Sequence, residues 1–383
     1  MNKQELLQRR SELKNDIAKY NNLQLAKKVQ LNSAYGALGN NFFRFFDLRQ
    51  AEAITMTGRL SILWIGNKVN AYVNRIMNTE GEKYVIYSDT DSIYVCFDRL
   101  VKRTFAGKDI GTQHSDSVSK DRVIEFIDRV CEEKIKPYID KCYQELAEKM
   151  NAYEQKMSMK REVIADRGIW TAKKRYILNV YDKEGVRYTE PKLKIMGIEA
   201  IKSSTPQVCR ESIKEALKLF MSGTESDVQE HIEKFRKEFH KLSFEAIAFP
   251  RGITDIDKYT LPDNTESIIS GDNESMLELV SATPIHCRAA LVYNRAIRQA
   301  NLTDSYEEIK NGEKLKFCYM KMPNPLKQNV FAVIDALPKE LQLEQYIDHE
   351  TQFIKSYLEP LTTILDAIGW QAEHEANLEE FFN

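Results

Sequence analysis

The chain has 383 residues and a mass of 44.5 kDa, room for about two or three cooperative units. Hydrophobic residues make up 43% and charged residues 29%, and 15 Gly with 10 Pro exclude a collagen-like or low-complexity chain, so a soluble globular protein is expected. A formal net charge of -2 hides a gradient that leaves polyanion binding by the first half open. Residues 1–60 carry ten Lys or Arg against five Asp or Glu, and residues 156–175 carry seven against two. Residues 335–383 offset both with eleven acids against Lys339 and Lys355. Apolar runs such as residues 331–337 are far too short for a bilayer, and Met1-Asn2-Lys3-Gln4-Glu5 opens no signal peptide, so the cytosol is the expected location and no membrane partner is expected. Cys96, Cys131, Cys142, Cys209, Cys287 and Cys318 form no C-x-x-C pair, which points to free thiols rather than a zinc site or disulfide framework.

In chain order, no Pro or Gly occurs from Lys3 until Gly36, and Leu6, Leu13, Ile17, Leu25 and Val29 recur at helical steps, predicting a helix that Gly36 and Gly39 end. The aromatic cluster Phe42-Phe43-Arg44-Phe45-Phe46 follows. A second helix is predicted over residues 47–78, with Ala51, Ile54, Gly58, Ile62, Ile65, Val69 and Val73 on its core side. Residues 84–87 and 93–97 are β-rich runs around the polar centre Ser88-Asp89-Thr90-Asp91-Ser92, which reads as a β-hairpin. Residues 102–120 read as a polar loop, and residues 121–152 as helix, broken or restarted at Pro137. A second hairpin is predicted from residues 174–181 and 187–191 around Asp182-Lys183-Glu184-Gly185, with residues 193–198 leading out of it. At Ser203-Ser204-Thr205-Pro206 a new domain is expected, because Thr205 can cap and Pro206 suits a first helical turn. Beyond it the pattern predicts helices near 206–221, 225–241, 284–300 and 340–368, a loop over 251–272 and β-like segments within 314–336.

Asp89 and Asp91 lie two residues apart, so in extended backbone both carboxylates would leave one face of the sheet. Two such carboxylates repel, and a divalent cation removes that cost; oxygen-only ligands favour magnesium over zinc. A pair of Mg2+ ions held this way equips a protein for phosphoryl transfer, whereas a plain polar β-turn would use the same residues for no chemistry. On the first helix, Lys28, Asn32 and Tyr35 are spaced i, i+4 and i+7 and share one face, matching phosphate charge, a phosphate hydrogen bond, and base with sugar. Gly36 would let a nucleobase approach the backbone. The alternative for these residues is a solvated helix face ending in a cap.

Together, Lys28-Val29-Gln30-Leu31-Asn32-Ser33-Ala34-Tyr35-Gly36 and Tyr87-Ser88-Asp89-Thr90-Asp91-Ser92 resemble two signature motifs of family B DNA polymerases, in the family's order. The first is similar to the K-x3-N-S-x-Y-G motif of a fingers helix, the second to the D-T-D-S palm hairpin. Lys173-Lys174-Arg175-Tyr176 resembles the K-K-R-Y motif near the primer–template junction, and residues 194–199 (KIMGIE) and 203–206 (SSTP) add further likeness to polymerases of T-even-type bacteriophages. The resemblance implies an α+β fold with an antiparallel palm sheet: residues 1–40 a second fingers helix, 41–202 the C-terminal part of the palm, 203–370 a mainly helical thumb, and 371–383 a flexible tail.

Carried over residue by residue, it makes Asp89 and Asp91 the catalytic, metal-binding carboxylates, with Asp91 favoured as the ligand of both Mg2+ ions. Lys28 becomes the triphosphate-binding lysine and a candidate general acid; Asn32, Tyr35 and Gly36 belong to the nucleotide pocket. Glu162 resembles a nearby palm acid that tunes the metal site indirectly. Lys173, Lys174, Arg175 and Tyr176 would hold duplex DNA near the primer end, and His286, Arg288 and Arg295 are candidate phosphate contacts of the thumb, near an Arg251-Gly252 loop turn followed by Lys258 and Tyr259. Leu378, Phe381 and Phe382 resemble a peptide that binds a ring-shaped sliding clamp.

The sequence departs from the family in what it lacks. No D-x-x-S-L-Y-P-S string occurs, so the first palm strand and its carboxylate are missing, as are the exonuclease motifs and the first fingers helix. The expectation is therefore the C-terminal subunit of a split DNA polymerase, with Met1 at an exposed break in the fingers and an N-terminal polymerase/exonuclease subunit supplying the rest. Primer–template DNA, dNTPs and the clamp are the other implied partners, and a bacterial host's cytoplasm the implied location if the source is a phage. The rival readings are a non-catalytic module that grips primer–template and clamp, and a standalone metal nuclease built on Asp89 and Asp91.

Overall fold

The computed structural model describes residues 2–106, 119–259 and 283–373. The chain divides into two compact units, Met1–Glu162 and Val163–Asn383.

The first unit opens with α1 (Lys3–Leu38), where Asn2 and Glu5 form a capping box: the Glu5 amide donates to Asn2 Oδ1 and the Asn2 amide to Glu5 Oε2, each at 2.9 Å. The helix runs through Gly36 and ends at Leu38 with Gly39 as cap, so only the second of the two expected breakers acts. None of its residues is buried. Asp47 caps α2 (Leu48–Met77) by accepting from the Arg49 amide at 3.0 Å, and Asn78 closes it in the left-handed region at φ 55°. The predicted stripe of α2 is buried along Ala51, Ile65, Val69 and Val73, whereas Ile54 remains half exposed. The core therefore gathers at the C-terminal half of this helix.

Against that half pack Tyr84, at the start of β1 (Val85–Asp89), and Ile139, Cys142 and Tyr143 of α5 (Lys136–Lys149). Strand β1 pairs antiparallel with β2 (Ser92–Val95). The start of the expected polar loop, residues 102–104, belongs to the end of α3 (Asp98–Thr104); residues 107–118 of that loop lie outside the described chain. Helix α4 (Lys120–Val130) passes into α5 through a π-helical turn, Cys131–Ile135, so the chain neither breaks nor restarts at Pro137. Proline has no N–H and its ring crowds the carbonyl four residues back, and the wider π turn just before it relieves both. Trp64 Nε1 donates to the Cys142 carbonyl at 2.9 Å and the Lys68 ammonium meets Glu145 at 2.7 Å, tying α2 to α5.

The second unit begins with a three-stranded antiparallel sheet of β3 (Val163–Ala172), β4 (Arg175–Lys183) and β5 (Val186–Met196), with β4 central. The predicted hairpin is β4–β5, turned at Glu184 (φ 51°) and Gly185 (φ 86°). Strand β5 continues through Pro191, which an edge strand tolerates because its missing donor faces no neighbour. Strand β3 is not anticipated by alternation: three register shifts interrupt its pairing with β4, and the period is lost with them.

Pro206 proves to be the cap of α6 (Gln207–Ser222) and Thr205 is buried before it. Helix α7 (Glu225–Phe239) starts with a second capping box, Thr224 with Asp227. The short α8 (Phe244–Ile247) leads into β6 (Phe249–Gly252), so Arg251 and Gly252, expected in a loop turn, lie in a strand; Lys258 and Tyr259 follow in a 3-10 turn. β6 pairs with β7 (Lys314–Tyr319), which pairs with β8 (Val330–Val333), and α9 (Ile285–Gln299) packs on this sheet. The last helix starts at His349, not near 340. Gln342 takes φ 49°, which breaks helical continuity, and Asp348 caps α10 (His349–Phe353) by accepting from the Thr351 amide at 3.0 Å. A π turn, Ile354–Leu358, again sits just ahead of a proline, Pro360, at the start of α11 (Glu359–Ile368). Phe235, Phe239, Phe353 and Tyr357 stack in the core with centroids 4.6 to 6.0 Å apart. After α11 the chain lies along α7, where the Gln371 amide donates to Glu225 Oε1 at 2.6 Å and Arg236 to Glu373 Oε1 at 2.7 Å.

All six cysteines carry free thiols. Among the described residues no helix is long and apolar enough to cross a membrane.

Ile65 has no exposed surface and sits where α2 meets the hairpin's support. Ile65→Ala is expected to destabilise the first unit by about 2–5 kcal/mol, readable as a lower denaturation midpoint in urea.

Candidate functional site

Asp89 and Asp91 occupy the tip of the β1–β2 hairpin. Asp89 pairs with Ser92 across the ladder, leaving Thr90 and Asp91 as a two-residue turn. Thr90 takes φ 52°, and the Asp91 amide donates back to the Asp89 carbonyl at 2.6 Å. The expected reason for the two carboxylates to lie together, strand alternation, is thus replaced by another: Asp91 is in the turn, and the tight turn brings the two residues together. Thr90 Oγ1 donates to Asp89 Oδ1 at 3.0 Å and Ser92 Oγ to the Asp89 carbonyl at 3.1 Å, which orients Asp89 from within the motif. Asp89 is half-buried and Asp91 exposed. The buried Tyr143 phenol on α5 is held above its usual range, first by burial and then by the negative charges of Asp91 and Asp140. Among the described residues no three His, Cys, Asp or Glu cluster to form a metal site. Two oxygen-donor carboxylates nevertheless suit Mg2+, which is commonly held by one or two carboxylates together with substrate phosphates and water. Glu162 closes the first unit, beside Arg161, which pairs with Asp128 of α4 at 2.7 Å.

Lys28, Asn32 and Tyr35 share one face of α1 as expected, all exposed, with Gly36 on the next step. The structure thereby presents a cation, an amide and a ring along a regular helix with nothing packed over them among the described residues.

In the second unit, Lys173 and Lys174 form the exposed turn between β3 and β4, with Lys174 at φ 61°. Arg175 and Tyr176 begin β4; Tyr176 is buried, and Arg175 donates to Glu199 Oε2 at 2.7 Å while Lys202 reaches Glu199 Oε1 at 2.8 Å. Two of the four residues thus face solvent and two anchor the turn. The anchoring extends to Gly197 (φ 67°), where a Cβ would fall 2.2 Å from the Lys174 carbonyl oxygen. Gly197 and Glu199 have no assigned role in the sequence motif; the Tyr176–Met196 pair of the β4–β5 ladder is what brings them to Arg175.

His286, Arg288 and Arg295 all lie on α9, but not on one face. Arg288 and Arg295 are seven residues apart and share a side, whereas His286 points the other way, toward the charge of Arg251. Arg288 donates to Asn329 Oδ1 at 2.9 Å. Burial, reinforced by Arg251, lowers the His286 imidazole from its ordinary value. Leu378, Phe381 and Phe382 lie outside the described residues.

Gly197→Ala is expected to dislodge the Lys173-Lys174 turn and lower the thermal midpoint, because both the positive φ and the carbonyl contact forbid the methyl group; a thermal melt checks it. A second expectation concerns pH. His286 binds its proton more weakly in the folded than in the unfolded chain. Its contribution to stability is therefore complete above the ordinary imidazole value of about 6.5 and is lost as pH falls below it toward the lowered folded value. His286→Gln should flatten that acid-side loss in urea titrations across this range.

A profile of DNA polymerase family B matches residues 1–139. The chain is 36% identical over 374 residues to the DNA-directed DNA polymerase of Enterobacteria phage T4, covering 94% of this chain and 39% of that protein. It is 34% identical, over the same share of this chain and 38% of the relative, to the DNA-directed DNA polymerase of Escherichia phage RB69. A shorter stretch of 96 residues, 25% of this chain, is 32% identical to the DNA polymerase delta catalytic subunit of Drosophila melanogaster, of which it covers 9%. The chain thus spans well under half the length of the phage relatives it matches. Matched along nearly its whole length, it belongs to the family B DNA polymerases, of which it represents a C-terminal part.

Proposed function

We propose that this chain is the C-terminal subunit of a two-piece replicative DNA polymerase that carries out template-directed nucleotidyl transfer from dNTPs to a primer 3′-hydroxyl. The observation that carries the reading is the hairpin tip with its two carboxylates, set in a chain similar to DNA-directed DNA polymerases over 94% of its length. In this reading α1 is a fingers helix within residues 1–40, residues 41–202 are palm and 203–370 thumb. The primer 3′-oxygen attacks the α-phosphorus, a P–O bond forms there, and the bond to pyrophosphate breaks. Lys28 neutralises triphosphate charge and supplies a proton to the departing pyrophosphate; Asn32 hydrogen-bonds the phosphates; Tyr35, with Gly36 beside it, shapes the pocket for the nascent base pair. Asp89 and Asp91 would hold two Mg2+ ions, whose chemistry when bound is to acidify the attacking hydroxyl and neutralise developing charge. The Lys173-Lys174 turn, fixed by Arg175, Tyr176 and Gly197, offers two exposed cations to the duplex backbone.

Two observations favour a partner polypeptide. The two carboxylates form no three-member acid cluster among the described residues, and two carboxylates alone give a pair of Mg2+ ions few protein ligands, so the reading calls for a further carboxylate. Helix α1 also keeps Leu6, Leu7, Leu13, Ile17 and Tyr20 exposed, apolar surface at its N-terminal half that an apposed element would cover. The partner would bring the exonuclease, the first palm strand and the remaining fingers. Leu378, Phe381 and Phe382 would bind a sliding clamp, and the work would be done in the cytoplasm of a bacterial host.

Primer extension with Mg2+ and the four dNTPs, in the complex with the amino-terminal polypeptide, tests the reading. Asp89→Ala and Asp91→Ala should each abolish synthesis while primer–template binding persists, a larger loss than the about 10–100-fold expected when only a ligand's neighbour is removed. Synthesis that survives either change would leave a DNA- and clamp-binding module as the better description.

A further inference from the structure

An isolated hairpin with strands of five and four residues is marginal in water, and a slip of one residue in its pairing would turn every side chain to the opposite face. Something outside the hairpin must set where β1 starts. Hydrophobic packing of Tyr84 on Val69 and Val73 holds the strand near α2, but apolar contact is non-directional and does not choose a register.

The directional contacts come from two asparagines one turn apart on α2. Asn70 Oδ1 accepts from the backbone amides of Tyr84, at 2.8 Å, and Val85, at 3.1 Å. Its Nδ2 donates to the Glu82 carbonyl at 3.0 Å. Asn74, buried, donates from Nδ2 to the same carbonyl at 2.8 Å and accepts at Oδ1 from the Glu82 amide at 3.2 Å and from Thr79 Oγ1 at 2.9 Å. Both amide groups thus use acceptor and donor on consecutive main-chain groups of the segment that becomes β1. A shifted strand would leave these partly buried donors and acceptors unpaired, a penalty that packing alone does not impose. Asparagine is a poor helix former, so helix stability gives no reason for either residue.

We propose that Asn70 and Asn74 are positioning residues for the carboxylates at the hairpin tip: they fix the register of β1 on α2, and thereby the place of Asp89 and Asp91, without touching either. This rests on the polymerase reading for its catalytic consequence and on hydrogen bonds alone for its geometry. One bulge lies between Val85 and Tyr87, and from Tyr87 the pairs run in step to Asp89 opposite Ser92, so a strand of fixed length carries the clamp at Val85 to the place of Asp89.

The test compares Asn70→Leu, which keeps the number and branching of the side-chain heavy atoms and removes every side-chain hydrogen bond, with Asn70→Asp, which keeps the acceptor for both amides while Asn74 still serves the Glu82 carbonyl. Val73→Ala, a core truncation on the same helix, controls for lost stability. In the two-chain complex, Asn70→Leu should lower kcat about 10–100-fold and raise the Mg2+ concentration for half-maximal synthesis, with the KM for dNTP within about twofold of the parent. Asn70→Asp should restore most of both. Val73→Ala should lower the thermal midpoint and leave the Mg2+ requirement unchanged. Amide hydrogen exchange on the same samples should show faster exchange at Tyr84, Val85 and residues 86–95 in Asn70→Leu, and parent-like protection of the rest of α2. An unchanged Mg2+ requirement in folded Asn70→Leu, or the same rise in Val73→Ala, overturns the proposal. If the parent complex itself makes no DNA, the polymerase reading falls separately, and exchange decides the clamp: unaltered protection of the hairpin in Asn70→Leu overturns it, and selective loss supports it.

Discussion

The seating of a short hairpin on one long helix is the constraint on which the first unit turns. The two carboxylates proposed to hold the metal ions stand at the tip of two strands too short to hold themselves, so their position is inherited from α2. That helix is apolar where it must pack, at Ile65, Val69 and Val73, and carries amides where it must choose a register, at Asn70 and Asn74. α5 completes the support from the other side, reached through a π turn that lets Pro137 sit in a continuous helix rather than ending it. Support of this kind fixes the hairpin tip more closely than a loop would.

The second unit repeats the logic with different parts. The Lys173-Lys174 turn is exposed, but everything immediately around it is fixed: Tyr176 in the interior, Arg175 on Glu199, and Gly197 against the Lys174 carbonyl. Burial of Ile177, Leu217, Phe239 and their neighbours, each worth about 1.5–3 kcal/mol, secures the sheet to the helices behind it. Lys173 and Lys174 stay exposed at the turn. A second π turn ahead of Pro360 brings Tyr357 into the aromatic cluster with Phe235 and Phe353, again with a proline accommodated inside a helix that keeps going.

Local signals in the sequence located the helices and the first hairpin well. Asp47 and Asn78 bracket α2 within a residue of the predicted limits because cap chemistry is local. The short motifs carrying Lys28, Asn32, Tyr35, Asp89 and Asp91 were legible for the same reason, although the strand-alternation argument for the two carboxylates was mistaken, since Asp91 is in a turn. What depends on distant partners was not legible. β3 is interrupted by bulges that only β4 makes sensible, β6 at Phe249–Gly252 exists by pairing with a strand more than sixty residues away, and helix did not begin near 340 because Gln342 takes a left-handed conformation that glutamine rarely adopts. The asparagine clamp escaped notice because its partners are backbone groups, which every sequence has.

Rapid-quench measurement of nucleotide incorporation by this chain alone, by the amino-terminal polypeptide alone and by their mixture tests the central claim most directly. The account predicts template-directed incorporation only in the mixture, dependent on Mg2+ and on both Asp89 and Asp91. Incorporation by this chain alone, or by the mixture after both aspartates are replaced, would contradict it.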